Sequence, residues 1–369
     1  MQVKLKLLYY SPIPWPHLNE RLPSFPHTNE AYNSEQGVKL YRNALELFQY
    51  AETVGFDWLG VGEEHMNVYG VVPNPCLISA AIAAMTTKAK ICVLGNPLPL
   101  LNPLRVAEEY AMIDVLSNGR LVAGFPRGVP QNYVAYGVNP DNSKEQLREA
   151  ISFVLSAWKK KGAFNWEGTH YNFKNVSIWP QPKDTPELVF SAKSNESILL
   201  AVEHKGVLGE LYVKNKCVVE HFQNSIDTYK KEAEQNGWEA NQDRFLYNIP
   251  CFLAHTDEAA TEKATKALSY VSNVISGSFE SEKKYLEETY YKDVKHISSS
   301  STETLSERIS YGGIICGSPQ TATEQIQNLL SKLPIGILGL QMQIGNLNYT
   351  EVRESLQLFG KYVKDKIYQ

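Results

Sequence analysis

The stretch ICVLGNPLPLLNPLRVAEEYAMIDVLSNGRLVAGF, residues 91–125, decides the fold. It opens on a short apolar run, 91–94, closes on another, 121–125, and carries a helical pattern between them at 103–116. Asn102 can cap that helix, Pro103 suits its first position and Gly119 lies just past its end. Leu104, Ala107, Ala111 and Val115 recur at spacings of three and four, which predicts one face packed on a sheet. Two short apolar runs joined through a helix predict neighbouring parallel strands, because a parallel pair needs a crossover connection.

The same unit repeats in both directions. Upstream, strands are predicted at 3–9 and 58–61, with helices at 38–54, closed by Gly55, and 75–87. Downstream, a helix at 144–160 leads to strands at 188–192, 207–213, 246–254 and 337–344, with helices at 195–203, 218–235, 257–274 and 349–364. Eight strands each followed by a helix predict an α/β fold of one domain over residues 1–369, a single (β/α)8 TIM barrel with insertions. An open doubly wound sheet would bring a glycine-rich phosphate loop. The one GxG, Gly60 to Gly62, lacks a third glycine and a helix start. Three segments exceed ordinary loop length: a long loop at 12–37, a hairpin insertion at 164–180 and a mobile insertion at 277–313. For the first, a cover over the site and a wrap on the surface stay equally open.

Composition narrows the function. The 369 residues are 43% apolar and 21% charged, which suits a globular chain with a large core. Thirty-six basic against 40 acidic residues give a net charge of -4, so nothing attracts nucleic acid or an anionic membrane, and any phosphate must be met locally. No stretch reaches the ~20 apolar residues of a membrane span, and MQVKLKLLYY lacks the features of a signal peptide; a cytoplasmic protein is expected. The five cysteines show no CxxC spacing and read as reduced packing residues, without a disulfide framework.

In such a barrel the catalytic groups follow the carboxyl ends of the strands. The second strand runs into Glu63-Glu64-His65-Met66, the third into Gly95-Asn96-Pro97, the fourth into Pro126-Arg127-Gly128, and the fifth into Lys193-Ser194-Asn195-Glu196-Ser197. Arg127 offers a planar charged fork, and Ser194 and Ser197 flank a helix start whose amides favour an anion. A surface ion pair and an ordinary N-cap explain them singly; their shared location points to a phosphate. His65 can move a proton near neutral pH, with Glu64 orienting it. Gly95 would let a flat ring approach the backbone. Neither HExxH nor clustered ligands occur, so no metal is expected.

The block NPLPLLNPLRVAEEYAMIDVLSNGRLVAGFPRGVPQNYVAYG, residues 96–137, resembles the bacterial-luciferase-like monooxygenases. GFDWLGVGEEH at 55–65, the segment 189–206 and GSPQTATEQI at 317–326 extend the resemblance over nearly the whole chain apart from the long insertions. It implies a (β/α)8 barrel and a flavin-dependent monooxygenase that uses reduced FMN and dioxygen to oxidise a small organic substrate. A separate NAD(P)H-dependent flavin reductase would supply the reduced FMN, and a homodimer is implied. His65 would act beside the flavin next to Glu64, with Met66 where the family has a second His. The cofactor would be bound by Gly95, Asn96, Arg127, Gly128, Lys193, Ser194 and Ser197, the phosphate falling to Arg127 and the two serines. The resemblance also implies a cis peptide at Leu94-Gly95. Pro126 stands where the luciferase catalytic subunit has a reactive Cys, and Lys193 where it has Glu, so the wider oxidoreductase group is a better match than light emission. Two other readings stay open: hydride transfer with a deazaflavin, whose users carry Asp where Glu64 stands, and a flavin-binding protein without turnover.

Overall fold

Local signals set where each element starts and stops in the computed structural model, which describes residues 4–18, 28–211, 217–287 and 303–367. The chain runs β1 (Lys6–Tyr10), α1 (Ser34–Val54), β2 (Trp58–Val61), α2 (Pro75–Met85), β3 (Lys90–Val93), α3 (Pro103–Leu116), β4 (Leu121–Gly124), α4 (Pro130–Tyr136) and α5 (Ser143–Lys159). It continues with β5 (Phe164–Glu167), β6 (Asn172–Val176), β7 (Glu187–Ser191), α6 (Asn195–Glu203), β8 (Val207–Glu210), α7 (Val218–Gln235), β9 (Phe245–Leu253) and α8 (Asp257–Glu287). The last elements are α9 (Leu305–Ser310), β10 (Ile315–Gly317), α10 (Pro319–Lys332), β11 (Ile337–Gln341) and α11 (Tyr349–Leu358). Asn33, Asn74 and Asn102 each accept a backbone N–H at the start of α1, α2 and α3, and Gly55 closes α1 at φ 101.

The strands pair in parallel in the order β11-β1-β2-β3-β4-β7-β8-β9, and β9 pairs back to β11, so the predicted eight-stranded barrel closes. Register alternates side chains between two cores. Leu8, Trp58, Cys92, Val122, Val189 and Leu246 fill the interior, while the larger cluster lies between the strands and the helices. β10 is a further parallel strand that, among the described residues, pairs only with the end of β9, Ile315 facing Cys251.

The face predicted for α3 is corrected. Val106, Ala107, Tyr110, Ala111 and Asp114 are buried, whereas Leu104 is only partly buried and Val115 is 50% exposed. Ring packing sets this rotation: Tyr110 stacks on Phe125 at 5.5 Å and on Trp158 at 6.3 Å. Such pairs contribute about 0.5–1.5 kcal/mol each beyond the area they bury.

Two of the three insertions differ in part from expectation. Within 12–37, residues 12–15 are buried; Trp15 N–H donates to Val68 O at 2.9 Å and Ile13 O accepts from Val71 N–H at 3.0 Å. These residues form a fixed wall against the loop after β2, and α1 begins inside the predicted loop; residues 19–27 lie outside the described residues. The hairpin is present as β5 and β6, clamped by Glu149, which accepts the N–H groups of Thr169, His170 and Tyr171 and the Trp166 indole. Part of 277–313 is helix, because α8 extends to Glu287 and α9 starts at a capping box of Thr304 and Glu307. Residues 288–302, where mobility was expected, lie outside the described residues. The last predicted helix is α-helical to Leu358 and then passes through a π turn, Phe359–Val363.

Side-chain clips brace the end of the barrel where the strands start. Arg120 donates to the carbonyls of Ala83, Thr86 and Ala89, and Glu52 accepts from the N–H groups of Thr87, Lys88 and Ala89. Among the described residues no helix is long and apolar enough to cross a membrane.

Candidate active site

Each site residue is set by the end of a strand. Beyond β2 the chain passes Gly62, where a Cβ would lie 2.7 Å from the Tyr10 hydroxyl, and presents Glu63, Glu64 and His65. The His65 and Glu63 side chains are 5% and 6% exposed, and Nε2 lies 2.7 Å from Oε1. The Tyr136 hydroxyl, from the end of α4, stands 3.3 Å from His65 Nδ1 and 3.5 Å from Nε2, with the rings edge to face.

The carboxylate on His65 is therefore Glu63, not Glu64 as expected. In extended chain residues i and i+2 point to one side, so Glu63 shares a side with His65 and Glu64 turns away. Glu64 accepts from Asn67 Nδ2 at 3.2 Å instead. Burial pushes its carboxyl up to about 7, and the charge of Glu63 adds to the rise. Burial also raises Glu63, and its hydrogen bond with His65 opposes that rise.

The sign of the resulting pH dependence is fixed. Glu64 keeps its proton to about pH 7 when folded but would release it near 4.5 when unfolded, so its contribution to stability is intact below pH 4.5 and is lost as pH rises through 7. Glu64→Gln keeps the neutral shape. It is expected to stabilise the fold by about 1–3 kcal/mol at pH 8 and to change nothing at pH 4.5. Urea titrations of both proteins at the two pH values check this; equal stabilities at pH 8 would contradict it.

After β3, the peptide Leu94-Gly95 is cis, as the resemblance implies. Gly95 is required by the barrel itself: a Cβ there would lie 2.2 Å from Gly124 O and 2.6 Å from Gly124 C, so the side-chain direction faces β4. Asn96 N–H donates to the Tyr110 hydroxyl at 3.1 Å, which donates to Gly124 O at 2.9 Å, and the Asn96 amide donates to Cys76 Sγ at 3.3 Å. Tyr110 thus ties the loop after β3 to the end of β4.

Arg127 follows β4, is exposed and makes no ion pair among the described residues. Gly128 turns the chain toward α4 at φ 97. Beyond β7, Ser194 caps α6, its Oγ accepting from Ser197 N–H at 3.2 Å and lying 3.1 Å from Ser197 Oγ. Lys193 is engaged: its ammonium pairs with the buried carboxylate of Glu210 at the end of β8. Strands β2, β3, β4 and β7 are successive neighbours, and β4 pairs with β7 through Gly124 and Val189. All the expected site residues therefore lie on one rim. Glu63 and Tyr136 were missed; i, i+2 spacing could have found Glu63, whereas Tyr136 joins the site only through the fold.

The family model for luciferase-like monooxygenases matches residues 23–334. This chain belongs to the luciferase-like monooxygenase family. The chain is 28% identical over 189 residues to the oxygenase component of the flavin-dependent trigonelline monooxygenase of Acinetobacter baylyi, covering 50% of this chain and 52% of that protein. The match thus spans about half the length of that relative. A longer alignment, 22% identical over 354 residues, covers 89% of the chain and 94% of the alkanal monooxygenase alpha chain of Photobacterium leiognathi. Among solved structures, the oxygenating constituent of 3,6-diketocamphane monooxygenase from Pseudomonas putida, in complex with FMN, superposes with a TM-score of 0.76 at 19% identity, covering 99% of both chains. An F420-dependent secondary alcohol dehydrogenase has a TM-score of 0.66 at 16% identity, covering 99% of both chains. At these identities the structural likeness shows the shared fold.

Proposed function

We propose that this luciferase-like monooxygenase binds reduced FMN at the rim of β2, β3, β4 and β7 and uses it, with dioxygen, to oxidise a small organic substrate. One observation carries the reading: a donor set suited to a phosphate dianion and a buried acid–base histidine stand on the same four neighbouring strands. Arg127 supplies charge, Ser194 and Ser197 supply hydroxyls, and the first turn of α6 adds its dipole. Lys193, balanced by Glu210, adds a cation at the edge of the site, and Gly128 sets the turn that carries Arg127 away from β4. The donor set fits the group. The ring system would lie beside His65 and the Gly95-Asn96 backbone.

Reduced flavin supplies the electrons that activate dioxygen. The chain's part is to hold the group, limit water around it and manage a proton at His65, with Glu64 as a second proton-holding group on the opposite side of the segment. A separate NAD(P)H-dependent flavin reductase would deliver the reduced cofactor, in keeping with a relative named as an oxygenase component.

Anaerobic titration with reduced FMN and with a reduced deazaflavin tests the assignment. FMN is expected to bind, and Arg127→Ala to weaken it about 10- to 100-fold, the loss of one charge-assisted contact. Binding of the deazaflavin alone would replace this reading with hydride transfer.

We also propose a homodimer through α2 and α3. The two helices pack together and leave Leu77, Met112, Val115 and Leu116 between 50% and 71% exposed. Sedimentation equilibrium is expected to give two chains, and Met112→Lys with Leu116→Lys to give one; a native monomer would remove the proposal.

A further inference from the structure

The contact between Glu63 and His65 fixes which ring nitrogen can do chemistry. At 2.7 Å one proton lies between Nε2 and Oε1, with both side chains almost wholly buried. If the ring holds that proton, Nδ1 is left as the atom that exchanges one. If the carboxyl holds it, a neutral ring carries its N–H on Nδ1 instead. Imidazole is ordinarily the more basic of the two groups, which places the shared proton on Nε2.

Burial and the charge of Glu109 both raise the Glu63 carboxyl, and the hydrogen bond with His65 opposes them; Glu109 is itself paired with Arg105 at 2.8 Å, which offsets part of its charge. Tyr136 is 45% exposed, and with Nε2 committed to Glu63 the ring nitrogen left to accept from its hydroxyl is Nδ1, 3.3 Å away.

We propose that Glu63 is the positioning residue of this site: it holds His65 through Nε2–H, so that Nδ1, facing the Tyr136 hydroxyl, is the atom that takes up and releases the proton. When Nδ1 takes a proton, the ring gains one positive charge beside the one negative charge of Glu63, and release restores the neutral ring. The inference deepens the flavin reading and rests on it for what exchanges the proton.

The test uses the cofactor-free protein with histidine labelled with nitrogen-15, His65→Gln serving to assign the His65 signals. The native ring is expected to carry its proton on Nε2, protected from exchange with water. Glu63→Gln should speed that exchange by about 10- to 100-fold, as loss of a charge-assisted hydrogen bond does. Tyr136→Phe should leave the Nε2 proton in place. A neutral ring with its proton on Nδ1, or a Glu63→Gln protein whose exchange equals the native rate, would overturn the proposal. Titrating the same samples with FMN separates the two claims. Failure to bind FMN with the Nε2 proton intact removes the cofactor reading and leaves Glu63 in its role.

Discussion

Replacement of His65 by alanine is expected to slow substrate oxidation by about 10²- to 10⁴-fold while FMN affinity stays within about twofold, the range that loss of a positioned acid–base group spans. His65 contacts Glu63 and Tyr136, both protein groups, so its removal takes away proton handling without removing a phosphate contact. The alanine also leaves the buried Glu63 carboxyl without its partner, at about 1–3 kcal/mol of stability. His65→Gln, which keeps a polar group beside Glu63, separates the two effects: it should recover stability but not turnover. Unchanged turnover in the alanine protein would remove His65 from the mechanism, and a parallel fall in FMN affinity would make it a binding residue.

Gly95→Ala carries the largest expected cost to the fold, about 3 kcal/mol or more. The added Cβ would sit 2.2 Å from Gly124 O, 2.6 Å from Gly124 C and 2.9 Å from Val93 O. All three are backbone atoms of the barrel, so relief requires moving β3 or β4, and with them the hydroxyl of Tyr110 that joins Asn96 to Gly124. Gly162 makes the useful contrast: its φ is 78 but a Cβ there meets nothing within 4 Å, so Gly162→Ala should cost only about 1 kcal/mol. Guanidinium titration of the two variants checks this, and equal costs would show that the close approach to β4 is unimportant.

Reading the sequence succeeded where a signal was local and repeated. The strand at 58–61 and the helices at 103–116, 195–203 and 218–235 match the observed β2, α3, α6 and α7 end for end, because caps and apolar periodicity both lie within the segment. The eight barrel strands follow from the same regularity. It failed where tertiary contacts decide. The rotation of α3 is set by Tyr110 against Phe125 and Trp158, contacts no helical wheel contains. β10 has three residues, too few to show a period, and α10 beyond it went unread although Ser318 caps it and Pro319 opens it.

The site divides along the same line. Strand ends located its residues, yet adjacency in sequence paired His65 with Glu64 when the extended backbone gives it Glu63. Gly95 was identified as necessary, and the close approach of Gly124 inside the barrel is a constraint that its own segment cannot reveal. Lys193 was expected at the cofactor, and its engagement with Glu210 depends on a neighbouring strand that its own segment cannot reveal.

The proposed cofactor site stands or falls with where the phosphate of FMN binds. A crystal structure of the protein grown with FMN measures this directly. The expected result is the phosphate enclosed by the Arg127 guanidinium and the Ser194 and Ser197 hydroxyls, with the tricyclic ring against His65. Density for the phosphate elsewhere on the barrel, with these three side chains left as they are in the free protein, would contradict it.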